Sequence, residues 1–481
     1  VKPLMARYLA DLQQRLAAAG LACPVLMMTS GGGLCTLETA ARLPIRLVES
    51  GPAGGAILAG AVAEEMGLGE ALSFDMGGTT AKICLLADYR PQMAREFEVD
   101  RSQRYLKGSG LPLRIPVIEM VEIGAGGGSI AGLDAMGRIR VGPESAGAEP
   151  GPAAYGRGGS EPTVTDADIV LGKVPIERFA GGKVKLAPER AEQALLDAVG
   201  RHLGADAVTA ALGVAEMVDE AMANAARRHT VERGLDAQTH TLVAFGGAAP
   251  LHACRLARKL AIRRVVVPAD AGVGSAVGFL RAPIAFEQVR SLQLRLDAFD
   301  AARVNAAFAA LHEEALAVVR AGAPGSPVEE HRLAYMRYVG QGHEIAVPLP
   351  VRDLRDDDAA LLREAFEAAY ARQFRRAIPD AEVEVLSWGL ALEARRPPLA
   401  RSDASPPRDV PTPMKEGHAR VVDPTTGRAE RVPVYARAAL VPGHHVAGPA
   451  LVVEPQTTTH VLAGFALHVA ATGALVLEDH A

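Results

Sequence analysis

The chain has 481 residues, with 51 Lys plus Arg against 56 Asp plus Glu and a formal net charge of -5. That length exceeds one ordinary core and predicts two or three domains. The lack of a basic excess argues against nucleic acid as a partner. The four cysteines, Cys23, Cys35, Cys84 and Cys254, lie far apart without a CxxC pair, which fits neither a disulfide scaffold nor a zinc site. With no signal segment and no apolar run near the roughly 20 residues of a membrane span, a cytoplasmic protein without a membrane partner is expected.

From residue 1 to about 290, short apolar strands alternate with Ala-rich helices, as α/β architecture does. The opening "VKPLMARYLADLQQRLAAAG" spaces Leu4, Tyr8, Leu9, Leu12 and Leu16 as one helix face. "PVLMMTS" reads as a strand and "TLETAARLP" as a short helix. "GPAGGAILAGAVAEEMG" reads as a helix whose small residues admit another backbone or a ligand. "SFDMGGTTAKICLL" follows at 73–86, two apolar runs around an acid, two glycines and two threonines.

Residues 122–172, beginning "EIGAGGGSIAGL", are dense in Gly, Pro, Ser and acids without repeating. Such a stretch is either disordered or a long ordered loop, and "TVTDADIVLG" at its end favours the anchored form. A helical segment over 188–233 should break near "GADA". "TLVAFGGAAPLHACRLARKL" at 241–260 reads as strand, glycine turn and helix, and "ADAGVGSAVGFLRA" as a second small-residue helix. A helical connector is expected over 291–330 and a β-rich C-terminal domain over 331–481, with one helix between Asp356 and Phe374. "RRPPLARSDASPPRDVPTP" reads as a linker or long surface loop.

Three constellations could carry chemistry. In the first, Gly77 and Gly78 allow positive φ and let backbone N–H groups approach an anion, Thr79 and Thr80 add hydroxyl donors, and Asp75 could hold a divalent cation or a water. A merely decorated hairpin is the alternative. In the second, Gly246 and Gly247 precede a helix N-terminus suited to a nucleotide, or simply close a tight βα connection. His252, in that helix's first turn, could touch a ligand, or serve as a packed or capping group. In the third, Glu122, Glu144, Asp166 and Asp168 are candidate metal or acid–base groups, or surface carboxylates and caps.

The order of these elements resembles the second half of the nucleotide-binding core shared by actin, Hsp70-type chaperones and sugar kinases, a ribonuclease H-like α/β fold. There a small-residue connecting helix precedes the second phosphate hairpin, and an adenosine-binding GG turn precedes a second connecting helix. Within that superfamily the chain resembles the hydantoinase A/5-oxoprolinase family, which also includes a subunit of acetone and acetophenone carboxylases. The matching stretches are "ESGPAGGAILAG", "FDMGGTTAKICLL", "EIGAGGGSIA", "VGPESAGAEPGPAAYGRGGSEPTVTDADIVLG", "FGGAAPLHA", "YVGQGHEI" and, near the end, "GPALVVEPQTTTHVLAGF".

The resemblance implies ATP-dependent opening of a small cyclic amide, or ATP-dependent ketone activation for carboxylation. A non-catalytic nucleotide-binding or assembly subunit is a third expectation. It implies ATP with Mg²⁺ or another divalent metal, and a hydantoinase B-type second subunit as partner. Asp75 would hold the metal and act in catalysis with Glu122 and His252. Gly77, Gly78, Thr79, Thr80 and Lys82 would meet the phosphates, Gly246, Gly247 and Ala248 the adenosine, and Gly126 and Gly127 the same cleft. Many relatives carry threonine-aspartate where this chain has Ala81-Lys82, so Lys82 either serves phosphate charge or points to solvent. The family also carries an N-terminal lobe, with its own DxGGT hairpin, ahead of the helix that begins here. A fragment or split-gene product is therefore expected, binding ATP weakly or not at all until joined by the missing lobe.

Overall fold

A computed structural model describes residues 1–99, 108–395 and 410–480. The linker expectation falls, over residues 396–409, outside the described residues.

The apolar runs on either side of "DMGGTT" become the centre of the main sheet. Helix α1 (Ser50–Met66) leads into β1 (Glu70–Met76), which turns back antiparallel into β2 (Ala81–Ala87), with Asp75 opposite Lys82. The short β3 (Val121–Ile123) pairs with β2 and sets Glu122 opposite Lys82. Helices α2 (Val164–Val170) and α3 (Ala207–Glu232) follow. Then β4 (Thr241–Phe245) lies parallel to β1, with Phe245 opposite Asp75. Helix α4 (Ala249–Lys259) returns the chain to β5 (Arg264–Val267), parallel to β4, and α5 (Gly274–Arg281) closes this segment. Successive residues Ala71 to Phe74 are all buried, as in a sheet covered on both faces.

Composition explains the packing of the two small-residue helices. A Cβ on Gly278 of α5 would lie 1.7 Å from the carbonyl oxygen of Gly54 in α1, and one on Gly54 would lie 2.4 Å from Phe279. The glycines of α1 thus admit another backbone, one of the two uses the sequence left open.

The 122–172 stretch is ordered. The Asp166 carboxylate accepts from the backbone N–H groups of Ala153 (3.1 Å), Ala154 (2.8 Å) and Thr163 (2.8 Å), and it completes a capping box at the start of α2. The helical segment breaks where "GADA" lies: Gly204 adopts a left-handed conformation, and Asp206 caps α3 by accepting from Thr209 N–H at 2.8 Å.

The strands after residue 331 divide among three sheets. Val328–Tyr338, Ile345–Leu349 and Val383–Ala394 form a four-stranded sheet with Ala285–Arg295, on which helices Ala301–Gly322 and Ala359–Phe374 pack through Phe308, Trp388, Tyr338 and Phe366. Gly417–Val422 and Ala429–Ala436 form a second with β6 (Ala450–Val453) and β7 (Thr458–Val461). The last two strands, β8 (Phe465–Val469) and β9 (Leu475–Asp479), return to the main sheet, where β9 pairs antiparallel with β5. Val265 faces Leu477 and Val267 faces Leu475 across that seam, so the edge of β5 is covered rather than left open. Among the described residues no helix is long and apolar enough to cross a membrane.

Candidate functional site

The β1–β2 turn protrudes with Gly78 and Thr79 exposed, closed by a bond from Gly77 N–H to Thr80 C=O at 3.2 Å. A Cβ on Gly77 or Gly78 would meet no protein atom within 4 Å, and neither glycine has a positive φ. The positive φ that this glycine pair allows is therefore not used, and what the pair leaves is bare backbone open to approach. The N–H groups of Gly78 and Thr79 have no acceptor among the described residues.

The "GAGGGS" loop docks beneath this turn. Gly127 N–H donates to Gly77 C=O at 3.0 Å and Gly128 N–H to Gly78 C=O at 2.5 Å. A Cβ on Gly126 would stand 2.6 Å from the Thr79 carbonyl carbon and the Thr80 nitrogen, so only glycine fits there. Ser129 Oγ accepts from Gly126 N–H at 2.8 Å, and Thr165 N–H, at the start of α2, donates to Gly127 C=O at 2.7 Å. Gly126 and Gly127 are thus brought to the hairpin, but as its support from below.

Asp75, next to last in β1, lies among residues of three glycine-rich segments. Ser275 Oγ of α5 donates to its Oδ2 at 3.0 Å. A Cβ on Gly55 of α1 would come within 3.1 Å of Oδ2, and one on Gly246 within 2.7 Å of Oδ1. Gly246 also has φ +102, so close approach and backbone angle both demand glycine there. Burial pushes the Asp75 carboxyl above its ordinary value, against the Ser275 bond and the charge of Lys82. Ala248 N–H donates to Met76 C=O at 3.0 Å, which fastens the start of α4 to the end of β1. Gly247 C=O accepts from Thr457 Oγ1 at 3.1 Å, and a cavity of about 300 Å³ opens beside it, lined by Phe179, Leu251, Gln456 and Thr457.

Lys82 does not point freely to solvent. Its Nζ donates to Thr80 Oγ1 at 2.9 Å and lies 3.4 Å from Glu122 Oε1. A cation, an anion and a hydroxyl therefore line one side of the hairpin.

His252 corrects the sequence reading. Its ring is fully buried, with Nδ1 2.8 Å from Asp219 Oδ1 and Nε2 3.1 Å from Asp168 Oδ2, so no ring atom is free to touch a ligand. Asp168 also accepts from Lys173 Nζ at 2.8 Å. Of the four carboxylates considered in the loop, only Glu122 belongs with the hairpin. Asp166 caps α2, Asp168 sits in the buried ion cluster, and Glu144 pairs with exposed Arg140 at 2.9 Å. Among the described residues no three His, Cys, Asp or Glu side chains gather around a metal position. The donor set still fits Mg²⁺, which keeps several waters and takes one or two carboxylates beside phosphate oxygens. Asp75, half-buried and without an ion-pair partner among the described residues, is such a carboxylate beside the bare backbone of the hairpin.

Ser275, Asp219, Lys173 and Thr457 escaped sequence reasoning. Only Ser275 carried a signal, as the sole hydroxyl in "GVGSAVG".

Residues 1–288 match the model of the hydantoinase/oxoprolinase family, and residues 295–478 match that of the hydantoinase/oxoprolinase C-terminal domain. The chain belongs to the hydantoinase/oxoprolinase family. It is 31% identical to the caprolactamase subunit alpha of Pseudomonas jessenii, over 96% of this chain and 65% of that protein. The crystal structure of the ATP-dependent caprolactamase from the same organism superposes with a TM-score of 0.81 at 29% identity, covering 100% of this chain and 69% of that one. The nucleotide-free structure of acetone carboxylase, an ATP-dependent enzyme, superposes with a TM-score of 0.76 at 26% identity, covering 98% and 66%. The chain thus spans about two thirds of the length of these relatives. The main sheet and its flanking helices have the actin-like α/β fold of this family, accompanied by a β-rich C-terminal region.

Proposed function

We propose that this chain supplies the nucleotide-binding part of an ATP-dependent cyclic amide hydrolase of the hydantoinase/5-oxoprolinase type. The observation that carries this reading is the convergence of Asp75, the bare Gly77–Gly78 turn and the Gly246–Gly247 turn at neighbouring ends of β1 and β4. Bound ATP would supply a phosphoryl group to the amide oxygen, which makes the amide carbon a better electrophile: water adds there, the C–N bond breaks with the nitrogen taking a proton, and hydrolysis of the resulting acyl phosphate releases phosphate. The unpaired N–H groups of Gly78 and Thr79 and the hydroxyls of Thr79 and Thr80 hold phosphate oxygens. Lys82, kept beside the turn by Glu122 and Thr80, adds positive charge where phosphate charge gathers. Asp75 holds Mg²⁺, and the cation offsets the burial of its carboxylate. The cavity beside Gly247 takes the nucleoside, between Phe179, Leu251 and Gln456.

The cyclic amide and a hydantoinase B-type second subunit complete the proposal. The name of the Pseudomonas jessenii relative, a subunit alpha, supports a multi-subunit assembly. The test is ATP consumption by this chain with that second subunit added. Stimulation by a cyclic amide together with appearance of the ring-opened product supports hydrolysis. The likeness to acetone carboxylase favours one alternative, a carboxylase subunit, for which ATP consumption would depend on bicarbonate and a ketone. Complex formation without turnover would instead mark a non-catalytic assembly subunit.

A further inference from the structure

Behind α1, on the side turned away from Asp75, lies a cavity of about 850 Å³. At about 100° per residue, Ile57, Ala61 and Glu64 of its wall sit roughly 180–240° around the helix from Gly55, the residue whose Cβ would meet Asp75. The thickness of α1 therefore separates this cavity from the hairpin. Its other walls are the Gly31–Gly33 turn and the strands Ala285–Arg295 and Val383–Ala394, and its apolar lining includes Ile57, Pro283, Phe286 and Leu392.

The charges around it are unevenly satisfied. Arg281 pairs with Glu65, Arg90 lies 3.9 Å from Glu393, and His331 lies 3.6 Å from Glu329. Arg46 stacks over the Phe286 ring at 5.2 Å and gives its Nη2 to the backbone carbonyl of Glu287 at 3.1 Å, not to the carboxylate. Arg95, the other cation whose field reaches Glu287, is engaged with Glu344 at 2.5 Å. Among the described residues the Glu287 carboxyl has neither a hydrogen-bond donor nor an ion-pair partner, and its Oε2 lies 3.7 Å from where a Cβ on Gly31 would stand. Burial raises its proton affinity despite Arg46 and Arg95. Glu64, on the α1 wall, is a second acid with no partner among the described residues.

A cavity whose mixed lining joins apolar side chains to an undonated, half-buried carboxylate is complementary to one kind of small molecule. We propose that it binds a primary alkylammonium group, the ammonium donating to Glu287 and the alkyl chain lying on Ile57, Phe286 and Leu392. An ammonium brings the hydrogen-bond donors that Glu287 lacks, since Arg46 and Arg95 supply field but no bond to its carboxylate, and charge-assisted bonds of this kind are the stronger ones. The site is independent of the nucleotide reading, since α1 stands between it and Asp75.

The test uses three probes of one shape, n-butylammonium, butyrate and butanol, titrated into the whole chain while the Ile57 methyl resonance is followed by NMR. Butylammonium is expected to shift it saturably and the other two not. E287Q, which keeps the side-chain shape, should weaken butylammonium about tenfold or more. Ala61→Trp, which fills the cavity without removing an acid, should abolish the shift. Equal saturation by butanol, unchanged affinity in E287Q, or no saturable response to butylammonium in the unaltered chain would each overturn the proposal.

Discussion

His252 Nε2 lies 3.1 Å from Asp168 Oδ2, and this buried contact ties together the two loops of the candidate site. Asp168 belongs to α2, whose first turn holds the "GAGGGS" loop through the Thr165–Gly127 bond. His252 belongs to α4, which starts at the Gly246–Gly247 turn. Burial alone would raise the Asp168 carboxyl, but Lys173 and His252 more than offset it and hold it well below the usual carboxylate range. Burial would likewise lower His252, yet Asp168 and Asp219 push it up to about 9. The imidazolium therefore acts as a clamp.

Removing one partner of a buried, charge-paired group leaves the others uncompensated, a loss of about 3–5 kcal/mol. H252A is expected to lose stability on that scale in chemical denaturation. H252Q, which retains donors of similar reach, should lose less. A loss below about 1 kcal/mol for H252A would show that the cluster contributes little.

Stability should peak near neutral pH. With its folded value above the ordinary 6.5, His252 contributes stability that is fully present below pH 6.5 and is lost as pH rises through about 9. His460, buried beside the cluster, behaves oppositely. Burial and the charge of Lys173 push it down to about 3, so its contribution is present above pH 6.5 and is lost as pH falls toward 3. Thermal unfolding followed across pH 4 to 10 should show both slopes, and H252Q should flatten the alkaline one more than the acid one, since His252 is only the last of the charges acting on His460.

Two glycines a few ångströms apart make a contrast. G78A should leave stability within about 0.5 kcal/mol, because its Cβ meets open space. G126A should cost about 1–3 kcal/mol, because its Cβ would collide with the backbone of Thr79 and Thr80. Paired denaturation curves check this, and equal stability of the two variants would contradict it.

Asp75 separates stability from binding. D75N removes a charge whose burial is unfavourable, so the melting temperature should hold or rise. The Mg²⁺-dependent part of nucleotide binding should be lost in that variant, and EDTA should have the same effect on the unaltered chain. Calorimetry with and without Mg²⁺ reads both.

The parts of this arrangement that depend on neighbouring residues were legible in the sequence. The "DMGGTT" hairpin, the glycine turn before α4 and the two small-residue helices each carry their signal within about twenty residues. What the sequence hid was pairing at long range. Asp168 and Lys173 are near neighbours in the chain, but Asp219 and His252 lie far from them and from each other with no spacing to mark the cluster, and a histidine in a first helical turn looks the same whether it faces a ligand or a carboxylate. The split of the C-terminal strands was equally hidden, because the apolar run of β9 specifies a buried strand but not that its neighbour is β5. Lys82 falls between these cases. Its departure from the family pattern was visible, but its partner Glu122 became evident only from the register of β3 on β2.

Hydrogen–deuterium exchange of the whole chain, with and without millimolar Mg-ATP, tests the central claim most directly, because it detects weak binding and reports where it occurs. The nucleotide reading predicts slowed exchange at residues 77–80, 125–128 and 246–248, abolished by EDTA and absent in D75N. Unchanged exchange at all three segments, or protection confined to residues elsewhere in the fold, would contradict it.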